Sequence, residues 1–241
     1  AVKIVKDLAG VINNSTYQKE LTTLYDNLVN DFIEAFWNKT FYVNGDQASY
    51  AMSLDLELYS NDTMKQELQN GLLSQIKSDN NLITTGIIGT KALFPLLSNI
   101  NQTNVAIELI KSISYPSYVY MYDNDDEPAT TLWELWNGNS GSPSMDSRNH
   151  HMFSSVSGYL NQYISGVIRG NEYNQYIFRI GHLTINELKW SQYEMDTGLI
   201  YIWEWINYES LKIEFTIPVG YYINIDIYLD DNWFVIDRYT G

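Results

Sequence analysis

A glutamate set between two tryptophans carries the strongest chemical signal in the chain. Residues 129–138 read Ala-Thr-Thr-Leu-Trp-Glu-Leu-Trp-Asn-Gly, and Ser147-Arg148-Asn149-His150-His151 follow after a Gly/Ser-rich stretch. Indoles left on a surface cost hydrophobic free energy, so Trp133 and Trp136 on either side of Glu134 need a physical reason. One reason is a site, in which apolar walls suit a carboxylate to proton transfer and flat indole faces take a sugar ring. The other is a tryptophan-rich core edge with Glu134 in an ion pair. Residue types alone leave both open.

Other candidate chemistry is weaker. Asp123-Asn124-Asp125-Asp126-Glu127 is dense in oxygen ligands, but it lacks the glycine and the terminal glutamate of a calcium loop and reads as a solvated acidic turn. No zinc-protease helix, phosphate loop, dinucleotide fingerprint or nucleophile elbow is present. Cysteine is absent, which removes disulfides, thiolate nucleophiles and thiolate metal sites. No metal or cofactor is expected. His182 falls among later strands and reads as a structural side chain.

The elements that must position Glu134 are helical. Leu21, Leu24, Leu28, Phe32, Ala35 and Phe36 recur at helical spacing over residues 17–37, with Ser15 and Gln18 as a capping box. Further helices are expected over 47–59, from Thr63 through Ile76, over 89–97 with Pro95 limiting it, from about Asn101 through Ile110, and over 154–168. Gly166, Gly170 and Asn171 mark a boundary. Beyond it the pattern alternates, predicting strands at 176–180, 199–205, 211–217, 221–229 and 233–239. Helices first and strands afterwards predict two packed units, 1–170 and 171–241.

The 241 residues carry 14 Lys and Arg against 29 Asp and Glu, a net charge of -15. With no basic cluster, the chain has nothing to displace counterions from nucleic-acid phosphates or to hold an anionic membrane surface. Neither partner is expected; a neutral glycan fits the balance. No apolar run approaches the length a membrane helix requires. The first residues, Ala-Val-Lys-Ile-Val-Lys-Asp-Leu, lack a signal-peptide pattern and an initiator Met, suggesting a processed or excised chain. Asn-x-Ser/Thr sequons begin at Asn13, Asn14, Asn38, Asn61 and Asn101, mostly beside helix ends. They point to glycosylation and to a secreted or vesicular protein.

Three stretches resemble one family in order and spacing: Leu82-Ile83-Thr84-Thr85-Gly86-Ile87-Ile88-Gly89-Thr90, Tyr115-Pro116-Ser117-Tyr118-Val119-Tyr120-Met121, and the Trp-Glu-Leu-Trp segment with its Asn-His sequel. The family is the α-L-rhamnosidases of glycoside hydrolase family 78, and the resemblance runs from the first helices to the C-terminal strands. It implies an α+β, multidomain chain: a partial (α/α)6 barrel of helical hairpins over 1–170, then an antiparallel β-sandwich over 171–241. It further implies an inverting glycosidase with Glu134 as general base and with Trp133, Trp136, Asn149 and His150 against the substrate, a rhamnose-containing glycan or glycoside. His151 stands where the family usually has an aromatic and takes no role.

Inversion needs a second carboxyl, about 6.5–9.5 Å from the first, to protonate the leaving oxygen. The family places that acid in an Asp/Glu/Arg-rich motif early in the barrel, and no counterpart occurs here. The expectation is therefore a chain whose barrel and acid are completed by a separate N-terminal polypeptide, and which is inactive alone. The alternative is a non-catalytic glycan-binding or structural protein derived from a rhamnosidase.

Overall fold

The two longest helices open on asparagines that satisfy free backbone donors. The computed structural model describes residues 1–125, 127–138, 147–180, 188–207 and 210–227. Asn14 caps α2 (Ser15–Phe36) by accepting from the Tyr17 amide at 3.2 Å, and Asn61 caps α4 (Asp62–Ser78) through the Met64 amide at 2.9 Å. The expected openings at Ser15 and Thr63 thus move to the asparagine ahead, whose short amide reaches the third backbone N–H. Preceding and intervening are α1 (Val2–Val11) and α3 (Gln47–Asp55); α5 (Gly89–Asn99), α6 (Thr103–Lys111) and the short α7 (Tyr118–Tyr122) follow. Pro95 sits inside α5, which runs past it to Asn99.

Packing divides the chain into two units, Ala1–Leu96 with Ala106–Phe153, and Leu97–Val105 with Ser154–Gly241. In the first, α1 packs on α2 and α3 on α4 as helical hairpins. Met64, Leu68, Leu72 and Ile76, four residues apart, form the buried row of α4. Asp46 caps α3, its Oδ1 accepting from the Ser49 amide at 2.7 Å and the Ser49 hydroxyl at 2.8 Å. Burial pushes its carboxyl up, but the bonds from Ser49 and Asn44 outweigh this and hold it below the usual range. A carboxylate with a lowered folded-state pKa contributes stability above its unfolded pKa and loses it as pH falls through the folded one. Asp46→Ala should cost about 1 kcal/mol near neutral pH. Urea titrations repeated in acid should show the gap from wild type closing.

The second unit corrects the expected helix over 154–168. A 3-10 turn (His151–Ser154), a one-turn α8 (Ser155–Tyr159) and a π turn (Leu160–Ile164) end that segment, and β1 (Val167–Arg169) begins immediately. Gly166 is the cause. It lies at φ +83, and a Cβ there would stand 2.5 Å from the Arg179 carbonyl oxygen, so the chain turns where only glycine fits.

Two three-stranded sheets follow. One has the order β1, β2 (Gln175–Ile180), β6 (Tyr222–Ile227); the other β3 (Trp190–Glu194), β4 (Ile200–Asn207), β5 (Ser210–Thr216). The second is an antiparallel meander with alternate residues exposed. The first departs from the all-antiparallel expectation: β2 and β6 are parallel, Tyr176 opposite Ile223, because the meander intervenes before the chain returns. Val167, Tyr176 and Phe178 from one sheet and Leu199, Tyr201 and Trp203 from beside or within the other share one core, which makes the pair a sandwich. Phe178 lies 4.1 Å from Tyr201, ring centre to ring centre. The expected strand at 233–239 and His182 lie outside the described residues.

Candidate active site

The three stretches singled out in the sequence meet in the helical unit. Trp136 donates its indole N–H to the Thr85 carbonyl at 2.9 Å, its ring lies 4.0 Å from Phe153, and Tyr118 meets it edge-on at 5.0 Å. The Trp133 amide points at the Met121 sulfur, 3.4 Å away. Stretches 82–90 and 115–121 are thus the bed on which the Trp-Glu-Leu-Trp segment rests. Burial pushes the Tyr118 hydroxyl far up, which keeps it a neutral donor to the Phe153 carbonyl at 2.9 Å.

Both indoles are buried, Trp133 at 4% exposure and Trp136 at 7%. This corrects the expectation of open faces for a sugar ring: the faces are taken by protein. Gly138 shows how tightly. At φ +56 it lies against the Trp133 ring, and a Cβ would come within 2.3 Å of it.

Glu134, between the two indoles, is only partly buried. Its backbone N–H donates to the Ser147 carbonyl at 3.0 Å, and its Oε2 accepts from the Ser147 N–H at 3.2 Å. Its Oε1 has no partner among the described residues, and no Lys or Arg there pairs with it. The core-edge reading therefore fits the tryptophans, and among the described residues no ion pair accompanies it. A carboxylate oriented by one backbone donor, with one oxygen unused among the described residues, is equipped to accept a proton from water.

The same pairing delivers the Asn-His segment. The His150 N–H donates to the Leu132 carbonyl at 2.7 Å, and the Thr131 hydroxyl donates to the Arg148 carbonyl, so 131–134 and 147–150 run side by side. Asn149 is exposed and His150 half-buried, its ring stacked at 6.1 Å on His151. Arg148 is paired with Glu127 and lies 5.8 Å from the Trp133 ring centre, tying the acidic turn to this ladder. Asn124 organises that turn, accepting from the Glu127 amide at 2.7 Å and donating to the Tyr120 and Glu127 carbonyls at 3.0 Å. Among the described residues no three His, Asp or Glu side chains converge on a metal position, and no helix is long and apolar enough to cross a membrane. Thr85, Tyr118, Met121, Glu127, Ser147, Arg148 and Phe153 are among the site residues that sequence reasoning assigned no role; the first three lie inside stretches already marked, and Phe153 follows the histidines by two.

The described architecture is helical hairpins that present a carboxylate from a loop, followed by a β-sandwich. Residues 1–164 match the model of the bacterial α-L-rhamnosidase six-hairpin glycosidase domain, and the chain belongs to that family. It is 29% identical over 165 residues to an α-L-rhamnosidase of Streptomyces avermitilis, covering 66% of this chain and 16% of that one. An α-L-rhamnosidase of Formosa agariphila is 27% identical over 174 residues, 69% of this chain and 18% of its own. The solved α-L-rhamnosidase of Dictyoglumus thermophilum superposes on 93% of this chain and 25% of its own with TM-score 0.79 and 26% identity. The Aspergillus terreus enzyme, at 18% identity and TM-score 0.77, shares the fold. The chain thus spans under a fifth of these curated relatives and about a quarter of these solved structures.

Proposed function

We propose that this chain is the part of an inverting α-L-rhamnosidase that holds the general base. Glu134 takes a proton from water as that water attacks the anomeric carbon, while an acid on the far side protonates the departing oxygen. The observation that carries this reading is a partly buried glutamate, held by Ser147 where three separated segments converge, whose Oε1 is unused among the described residues. Asn149 and His150, delivered by the same ladder, contact the sugar; Trp133 and Trp136 act from behind, fixing the segment. The substrate is a rhamnose-containing glycoside, a reading supported by the Streptomyces avermitilis relative, whose structure was solved as a complex with L-rhamnose. The later part of the barrel domain ends near residue 164, where the family match stops, and the sandwich domain begins with β1 at Val167, ahead of the boundary expected at 170.

The acid comes from a separate N-terminal polypeptide that completes the barrel. Support lies in α1, which turns Lys3, Lys6 and Ala9 inward: Lys3 pairs with Glu57 at 2.8 Å, and Lys6 lies 4.9 Å over the Tyr25 ring. Ile4, Val5, Leu8, Val11 and Ile12 line its other side, all exposed, and Leu24, Leu28, Phe32 and Phe36 make an exposed row on α2. Each such leucine is already about half buried, so covering the rest is worth on the order of 1 kcal/mol. Leu8→Glu combined with Leu28→Glu should therefore abolish copurification with the acid-bearing polypeptide while Lys19→Ala leaves it intact. Unchanged copurification would remove this assignment.

The five sequon asparagines are all exposed, and the caps of Asn14 and Asn61 are made through Oδ1, while Asn61 Nδ2 donates to the Ser60 hydroxyl at 3.2 Å. Their exposure supports a glycoprotein of a secreted or vesicular compartment. The activity is tested by following an aryl α-L-rhamnoside by NMR with the assembled protein, where β-L-rhamnose should form first. Saturable sugar binding without turnover would favour the glycan-binding alternative, and formation of the α-anomer first would exclude inversion.

A further inference from the structure

We propose that Asp79, at the far end of α4, is a positioning residue for Glu134, an inference that rests on the reading of Glu134 as base. Asp79 follows the last turn of α4, and Asn80 and Asn81 after it adopt left-handed φ of 57 and 56, so the chain reverses sharply. The reversal leads straight into the bed of the site, and Asp79 fixes it. Its Oδ2 accepts from Gln47 Nε2 at 2.7 Å and from the Thr84 hydroxyl at 2.9 Å; its Oδ1 accepts from Gln75 Nε2 at 2.9 Å.

Gln47 completes the clamp. It is fully buried at 0% exposure, donates also to the Leu82 carbonyl at 2.8 Å, and accepts from the Thr84 backbone N–H at 3.3 Å. A buried amide with every group engaged holds one arrangement, because any other leaves a buried donor or acceptor unpaired. The next residue is Thr85, also buried. Its hydroxyl bonds that of Thr90 at 2.8 Å, Thr90 bonds the Gly86 carbonyl at 2.8 Å, and the Thr85 carbonyl receives the Trp136 indole. The connection from Asp79 therefore runs through Thr84 and Thr85 to Trp136, two residues beyond Glu134. No member of it has a role in proton transfer; each fixes where the Thr85 carbonyl stands, hence where Trp136 and the segment carrying Glu134 stand.

A clamp that served only the helical hairpin would alter stability and leave the site alone. The test uses Asp79→Asn, which turns one acceptor into a donor facing donors, and Thr84→Val, which removes one hydroxyl at nearly constant shape and keeps the chain folded. Two readouts are taken on the assembled protein: steady-state hydrolysis of an aryl α-L-rhamnoside, and the indole N–H resonance of Trp136, assigned by its loss in Trp136→Phe. The expected result is a fall in kcat of about 10- to 100-fold with KM little changed, the range a small misplacement of a reacting group produces. The Trp136 resonance should shift and lose protection from exchange. Folded variants that retain the wild-type resonance, or that shift it with kcat unchanged, overturn the proposal. A wild-type assembly with no turnover defeats the assignment of Glu134 instead, and the link from Asp79 to Trp136 is then read from the resonance alone.

Discussion

Glu134→Gln in the assembled protein is expected to lower kcat for an aryl α-L-rhamnoside by about 10²- to 10⁴-fold, the usual contribution of a positioned general base. KM should change little. Glutamine keeps the shape and an oxygen for the Ser147 N–H, which Glu134 Oε2 now accepts at 3.2 Å, so the 131–134 and 147–150 ladder stays in place. What is lost is the ability to take a proton from water. The amide cannot be that base at any pH, so the residual rate should also lose whatever dependence on pH the base confers. Steady-state kinetics across pH, with circular dichroism as a check on folding, decide the matter. Activity within a few-fold of wild type would remove Glu134 from the chemistry.

Trp136→Ala should be the most destabilising single change in the helical unit. Truncating a buried tryptophan costs about 3–5 kcal/mol when the surroundings cannot collapse into the cavity. Here the ring is held between Phe153 and Tyr118, and its removal also leaves the buried Thr85 carbonyl without its donor. Trp136→Phe separates the two contributions: it keeps most of the ring and loses the N–H, which should cost about 1–3 kcal/mol through the unsatisfied acceptor. Denaturant midpoints for the pair check the ordering, and equal losses would mean that packing alone matters at this position.

Much of this architecture is legible in the sequence, for reasons that differ by element. The rows of α4 and α2 are read from apolar residues four apart, which is a local property of the helix. The first helix is legible by the same spacing, in Ile4, Leu8 and Ile12, but is missing from the expected elements, whereas α7 escapes because five residues show no period. The strand at Val167 hides within helical periodicity until Gly166 is seen to turn the chain. At the site, Glu134 and the Asn149-His150 pair stand out by type and by resemblance. The burial of Trp133 and Trp136 does not, because it depends on partners such as Thr85, 51 residues away, and spacing within a segment is silent about them. The clamp on Asp79 is silent for the same reason: Gln47, Gln75 and Thr84 come from two helices and a loop.

The parallel pairing of β2 with β6 has a consequence for the order of folding. The meander of β3, β4 and β5 joins strands that are near neighbours in the chain, so it can close early at small entropic cost. Its partner sheet must wait, because residue 175 finds residue 222 only after the whole meander has been made. During synthesis β1 and β2 can pair as a hairpin, but one edge of β2 stays bare until 222–227 leave the ribosome. Assembly of the sandwich is then limited by this late, distant contact. A chain arrested before residue 222 should bind dyes that report exposed strand edges, and release them once the last described strand is added.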